Sequence, residues 1–111
     1  MGKGDHLGEF EQLLLLALIR LEDNAYGMTI RQVIEERTDR RVPIGQVYAA
    51  LERLEAKGYL AFRVGGPEPI RGGRSKKLYT LTAEGEQALT QARRMMAQME
   101  EGLTLPDPGV A

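Results

Sequence analysis

The spacing of the apolar residues changes once along this chain, at Gly58, and that change limits what the chain can fold into. Before it, apolar side chains recur at helical intervals in three stretches. After it, "YLAFRV" (59–64) alternates Leu60, Phe62 and Val64 against Tyr59, Ala61 and Arg63, the two-residue repeat of a strand. The first helical stretch runs from Glu9 to Glu22. Its apolar residues (Phe10, Leu13, Leu14, Leu16, Ala17, Leu18 and Leu21, with Leu15 and Ile19 extra) cover more than one face. A helix apolar nearly all round must be buried nearly all round. A chain of 111 residues supports one core with little surplus, so this helix calls for a partner beyond its own core.

"EDNAYG" reads as a turn, and a second helix follows over Gly27–Thr38 with Ile30, Val33 and Ile34 facing inward. "TDRRVP" ends it, with Val42 held extended by the proline that follows. The third helix is predicted from Ile44 to Lys57. Val47, Ala50, Leu51 and Leu54 form its inward stripe, and Gly58 stands just past its end. Its opposite face carries Gly45, Ala49, Glu52, Arg53 and Ala56, flanked by Gln46 and Tyr48.

"KLYTLT" (77–82) reads as a second strand, and the Gly/Pro-rich "GGPEPIRGGRS" between the two suits a long hairpin loop. Thr82 is placed to cap a last helix, with Glu84 and Glu86 in its first turn. In that helix Leu89, Ala92, Met96, Met99 and Leu103 form a seam at intervals of 3 and 4. Three helices, a two-stranded hairpin and a further helix make a mainly α chain of winged helix-turn-helix type, in which the hairpin is the wing. The expected organisation is a DNA-binding domain over 7–82, a dimerisation helix over 83–104, and flexible ends at 1–6 and 105–111. The seam and an expected spare face on the first helix, Leu14, Leu15, Leu18 and Ile19, fit each other across a two-fold axis.

The net charge of −1 hides an asymmetry. From Arg37 to Lys77 ten cations and four anions give +6, and the remaining five cations and twelve anions give −7. A polyanion feels the local field rather than the sum. The cations concentrate in "RGGRSKK" (71–77), whose Arg71, Arg74, Lys76 and Lys77 suit phosphate or a narrow minor groove and whose Gly72 and Gly73 let the backbone come close. On the third helix Gln46 is a candidate adenine reader, Tyr48 and Ala49 face the groove, and Arg53 is a candidate phosphate contact.

Enzymatic chemistry finds no support. There is one histidine and no cysteine, and no Ser/His/Asp set or phosphate-loop motif. Glu35 and Glu36 are adjacent and so point in different directions on a helix. No metal site and no cofactor are expected. The longest apolar run, "LLLLALI" (13–19), is too short for a bilayer and follows "GEFEQ" rather than a basic segment, so no membrane partner and a cytoplasmic location are expected. The competing reading is a winged helix that binds protein and has no specific DNA site.

"LGEFEQLLLLALIRL", "AYGMTIRQVIEERT", "VPIGQVYAALERLEAKGYL" and "GGRSKKLYTLTAEG" resemble the PadR family of bacterial transcriptional regulators, in its short-tailed branch. The resemblance covers residues 7 to about 94. One departure is Ala49, where the family usually has proline after the tyrosine. The resemblance implies a homodimeric repressor on a palindromic double-stranded operator. It also implies a last helix that packs on the partner's first helix, and release from the operator on binding a small-molecule effector.

Overall fold

The computed structural model describes the backbone over residues 6–70 and 74–109, with side chains over 6–65 and 76–109. Helix α1 spans Glu9–Leu21, one residue shorter than the sequence predicts. Glu22 ends it at φ 55°, a left-handed value that an α-helix cannot continue through, and a short 3₁₀ turn follows over Glu22–Asn24. Helix α2 spans Gly27–Thr38 and closes on Asp39 at φ 61°, whose N–H donates to the Glu35 carbonyl at 3.0 Å. Helix α3 spans Ile44–Ala56, and Gly58 follows at φ 84°, where a side chain would be strained.

Strand β1 (Leu60–Ile70) pairs antiparallel with β2 (Arg74–Leu81), so that Leu60 faces Leu81, Phe62 faces Tyr79 and Val64 faces Lys77. The hairpin is longer than the sequence predicts, because most of the 65–75 stretch read as loop is strand. Its register shifts between Gly65 and Ile70. Both strands of a two-stranded ribbon are edges, so Pro67 and Pro69 do not have to break it. Only the base of the hairpin belongs to the core: Leu60 and Tyr79 are buried, whereas Val64 is 62% exposed.

Helix α4 spans Ala83–Glu100. Thr82 caps it as expected, its Oγ1 accepting the Gly85 N–H at 3.0 Å. The same hydroxyl donates to the Gly58 carbonyl at 2.7 Å, and the Thr82 N–H donates to the Tyr59 carbonyl at 3.0 Å. One threonine therefore ties the start of α4 to the end of α3 and the start of the wing.

The core joins Leu14, Leu15 and Leu18 of α1 to Ile30 and Ile34 of α2 and to Val47, Leu51 and Leu54 of α3, with Leu89 and Ala92 of α4 at its edge. This corrects the expected dimer faces. Leu14, Leu15 and Leu18 are buried within the protomer itself, so they are not spare; the exposed apolar residues of α1 are Leu16 and Ile19. Leu89 and Ala92 likewise cover the protomer's own core, and the seam is open only at Met96, Met99 and Leu103, with Met95 beside them. The excess of apolar residues on α1 is real, but the core takes the stripe of Leu14, Leu15 and Leu18 and leaves that of Leu16 and Ile19.

Gly85 is the tightest joint. A Cβ there would strike the Tyr59 carbonyl oxygen and lie 2.7 Å from Leu81 Cδ1. Backbone cannot yield as a side-chain tip does, so Gly85→Ala is expected to destabilise the fold by roughly 1–3 kcal/mol. Urea denaturation followed by circular dichroism measures this; an unchanged midpoint would contradict the close approach.

Candidate nucleic-acid interface

The turn between α2 and α3 is fixed by side chains of α2. Glu35 Oε2 accepts the Val42 N–H at 2.7 Å, Arg31 Nε donates to the Val42 carbonyl at 2.9 Å, and the two side chains lie 3.6 Å apart. Both polar groups of the buried Val42 backbone are thus satisfied, and the entry angle of α3 is set. Val47, Ala50, Leu51 and Leu54 face the core, which leaves Gly45, Gln46, Tyr48, Ala49, Glu52 and Ala56 exposed.

Tyr48 is half exposed and half structural. Its ring lies on Gly27, the first residue of α2, so closely that a Cβ at Gly27 would be 2.5 Å from Tyr48 Cε1. Gln46 and Ala49 are exposed on α3 as the sequence predicts. Arg53 is not simply a free outer cation. Its Nε lies 3.3 Å from Oε2 of Glu11 in α1, and Lys57 Nζ lies 3.6 Å from the same oxygen. Glu11 Oε1 accepts the Gly8 N–H at 3.0 Å, which closes the first turn of α1. Half of the Arg53 side chain nonetheless remains in solvent.

Glu11 is buried, and the sequence reading missed it. Burial alone pushes its carboxyl up, but the Gly8 N–H, the Arg53 guanidinium and the Lys57 ammonium together hold it below the usual range. The available signal was local: a glutamate three residues after the glycine that precedes the apolar run.

The wing is held at its base. The Tyr79 N–H donates to the Ala25 carbonyl at 2.8 Å, which ties β2 to the turn before α2. Burial, followed by the neighbouring Glu55, Tyr48 and Glu52, pushes the Tyr79 phenol up. Lys76 Nζ sits 4.1 Å from the Tyr26 ring centroid and Lys77 Nζ 4.2 Å from that of Phe62. Such contacts steady the two ammonium groups without neutralising them. Arg74 opens β2. Arg71, Gly72 and Gly73 lie outside the described residues.

Arg40, in the α2–α3 turn, pairs with Glu9 at 3.2 Å and stacks over Phe10. Lys76 and Lys77 thus sit on β2 and Arg40 in the turn that leads into α3, while the exposed row Gly45, Ala49, Glu52 and Ala56 is small or acidic. Among the described residues no group of His, Cys, Asp or Glu is arranged to hold a metal, and no helix is long and apolar enough to cross a membrane.

The fold is shared with known proteins. The profile of the transcriptional regulator PadR-like family matches residues 15–91, more than half of the chain. Similar solved structures include a transcriptional regulator from Clostridium thermocellum, 24% identical over 81% of this chain and 84% of that one, with a TM-score of 0.67. A PadR-like transcription factor from Bacteroides fragilis is 25% identical over 83% and 84%, with a TM-score of 0.67. A PadR family transcription regulator from Clostridium difficile is 26% identical over 82% of this chain and 94% of that one, with a TM-score of 0.62. No curated protein sequence matches.

Glu11→Gln tests the junction between α1 and α3. A carboxyl held below its usual value stabilises the fold above the ordinary carboxylate range, about pH 4, and that contribution is lost as the pH falls through its folded value. Glu11→Gln is expected to cost about 1–3 kcal/mol at pH 7 and to make the melting temperature fall less steeply between about pH 5 and 3 than in the parent. Parallel melting curves across that range would show that Glu11 contributes nothing through its charge.

Proposed function

We propose that this chain, which belongs to the PadR-like family of transcriptional regulators, is a cytoplasmic repressor that binds a palindromic operator as a homodimer and releases it when a small-molecule effector binds. The observation that carries the reading is the exposed face of α3, which is braced at its start by the Val42 turn, in a chain whose wing strand carries Lys76 and Lys77. Helix α3 enters the major groove, where Gln46, Tyr48 and Ala49 meet base edges. Lys76 and Lys77, with Arg71, Gly72, Gly73 and Arg74 of the same basic segment, lie along the phosphates. Arg53 reaches phosphate with the half of its side chain that Glu11 leaves in solvent.

The dimer follows from what the protomer leaves uncovered. Residues 7–82 form the DNA-binding unit and 83–104 the dimerisation unit. Met96, Met99 and Leu103 are 57%, 78% and 62% exposed. A groove of about 230 Å³ between α1 and α2, lined by Leu13, Leu16, Ala17, Val33 and Ile34, offers them a seat in the partner. Arg20 and Arg37 at its rim match Glu100 and Glu101 at the end of α4. Each such apolar side chain contributes about 1.5–3 kcal/mol when buried, in two copies, against an association cost of about 4–15 kcal/mol. For the effector, Met95 and Met96 border a cleft of about 160 Å³ with His6, Leu7 and Gln12. Methionines adapt to varied apolar ligands, and two copies meeting there would enlarge the space.

Selection from random duplexes tests the DNA reading. The expected result is an imperfect palindrome with half-sites about 10 bp apart, bound with an affinity that falls steeply as salt rises. No enriched motif, together with binding indifferent to salt, would instead favour a protein-binding winged helix. The dimer has its own test, mass by analytical ultracentrifugation. The parent chain should sediment as a dimer at micromolar concentration and Met96→Lys as a monomer with operator affinity lowered at least tenfold. A parent that sediments as a monomer, or a Met96→Lys dimer with full affinity, would move the interface elsewhere.

A further inference from the structure

We propose that Glu52 selects cytosine at one position of each half-site, an inference that rests on the DNA-binding reading above. The outermost row of α3 is Gly45, Ala49, Glu52 and Ala56, all exposed. Three of these carry a methyl group or less, so the helix axis can approach base edges closely. Glu52 is the one long side chain in the row and enters the groove ahead of the others.

Its charge is not neutralised by its neighbours on the helix. The positions three and four residues away hold Tyr48, Ala49, Glu55 and Ala56, none of them cationic. The two cations that α3 carries near its end, Arg53 and Lys57, are turned to Glu11 on the α1 side. The ion pairs among the described residues engage Glu9, Glu11 and Glu35, and none engages Glu52. An uncompensated carboxylate on the face that meets a polyanion weakens binding wherever it faces phosphate, so its favourable position is the groove floor, against a donor.

A carboxylate only accepts hydrogen bonds. In the major groove guanine presents N7 and O6 and thymine presents O4, all acceptors that repel it. Adenine offers N6–H₂ beside the acceptor N7, and cytosine offers N4–H₂ with no acceptor nitrogen beside it. Cytosine is therefore the base that Glu52 favours, and the flanking small residues give it the room to reach one.

The test compares random-duplex selection for the parent, Glu52→Gln and Glu52→Ala. Melting curves show that all three are folded, as an exposed site should allow. The parent should enrich cytosine at one position of each half-site, and operators altered there should bind about tenfold more weakly. Glu52→Ala should lose that preference and Glu52→Gln should shift it toward adenine, whose N6 and N7 a side-chain amide can meet; both should keep the preferences at other positions and bind unrelated duplex more tightly because an anion is gone. A cytosine preference that survives both substitutions overturns the proposal. So does a gain of affinity on all sequences with no change in preference, which would make Glu52 a phosphate repellent only. A parent that enriches no motif overturns the DNA-binding reading itself, and Glu52 with it.

Discussion

The rest of the structure depends on the buried carboxylate of Glu11. One oxygen closes the first turn of α1 on the Gly8 N–H, and the other meets Arg53 and Lys57 at the far end of α3. Two segments distant in sequence, 8–11 and 53–57, are thereby held to one point. The apolar core fixes how deep α3 sits, since Val47, Ala50, Leu51 and Leu54 can pack only inward. An apolar stripe, however, resists rotation about the helix axis weakly, because neighbouring rotamers can repack. A charged pair at one end and the Arg31–Glu35 grip on Val42 at the other resist it strongly. The exposed row of α3 is aimed by polar contacts at its two ends.

The same contacts distribute charge. Arg53 and Lys57, like Arg40 in the turn, are drawn to acids of α1, while Lys76 and Lys77 of the wing rest on aromatic rings. The wing lysines rest on Tyr26 and Phe62, which limits the freedom they would lose on meeting phosphate. On the proposed reading, attraction comes from the wing and discrimination from the centre of α3, a division between phosphate contacts that position and base contacts that specify.

Much of this was legible in the sequence. The three helices, the wing, the Thr82 cap and the glycine after α3 follow from periodicity and from the residue types that end helices. The length of the wing was not legible, because its Gly/Pro composition is that of a loop and only a ribbon with two free edges accommodates it. The spare faces of α1 and α4 were legible only in part: Ile19, Met96, Met99 and Leu103 are open, but Leu14, Leu15, Leu18, Leu89 and Ala92 belong to the core. A helix apolar on every side does not say which stripe the core will use, and Leu14, Leu15 and Leu18 differ from Leu16 and Ile19 only by angle. Glu11 was hidden for another reason: its partners Arg53 and Lys57 are more than forty residues away, and no local pattern announces a long-range ion pair. The same separation conceals that Arg53, on the outer face of α3, is also the partner of Glu11. Tyr48 against Gly27 is again a contact between separate helices.

The central claim is that the aimed face of α3 and the base of the wing form one DNA-binding surface. Backbone amide chemical shifts, followed while duplex enriched by selection is titrated in, test it most directly. The account predicts the largest changes at residues 45–56 and at Lys76 and Lys77, with little change along the α1–α2 groove at Leu13, Leu16 and Val33. Changes concentrated in that groove or along α4, with α3 and the wing unmoved, would contradict it.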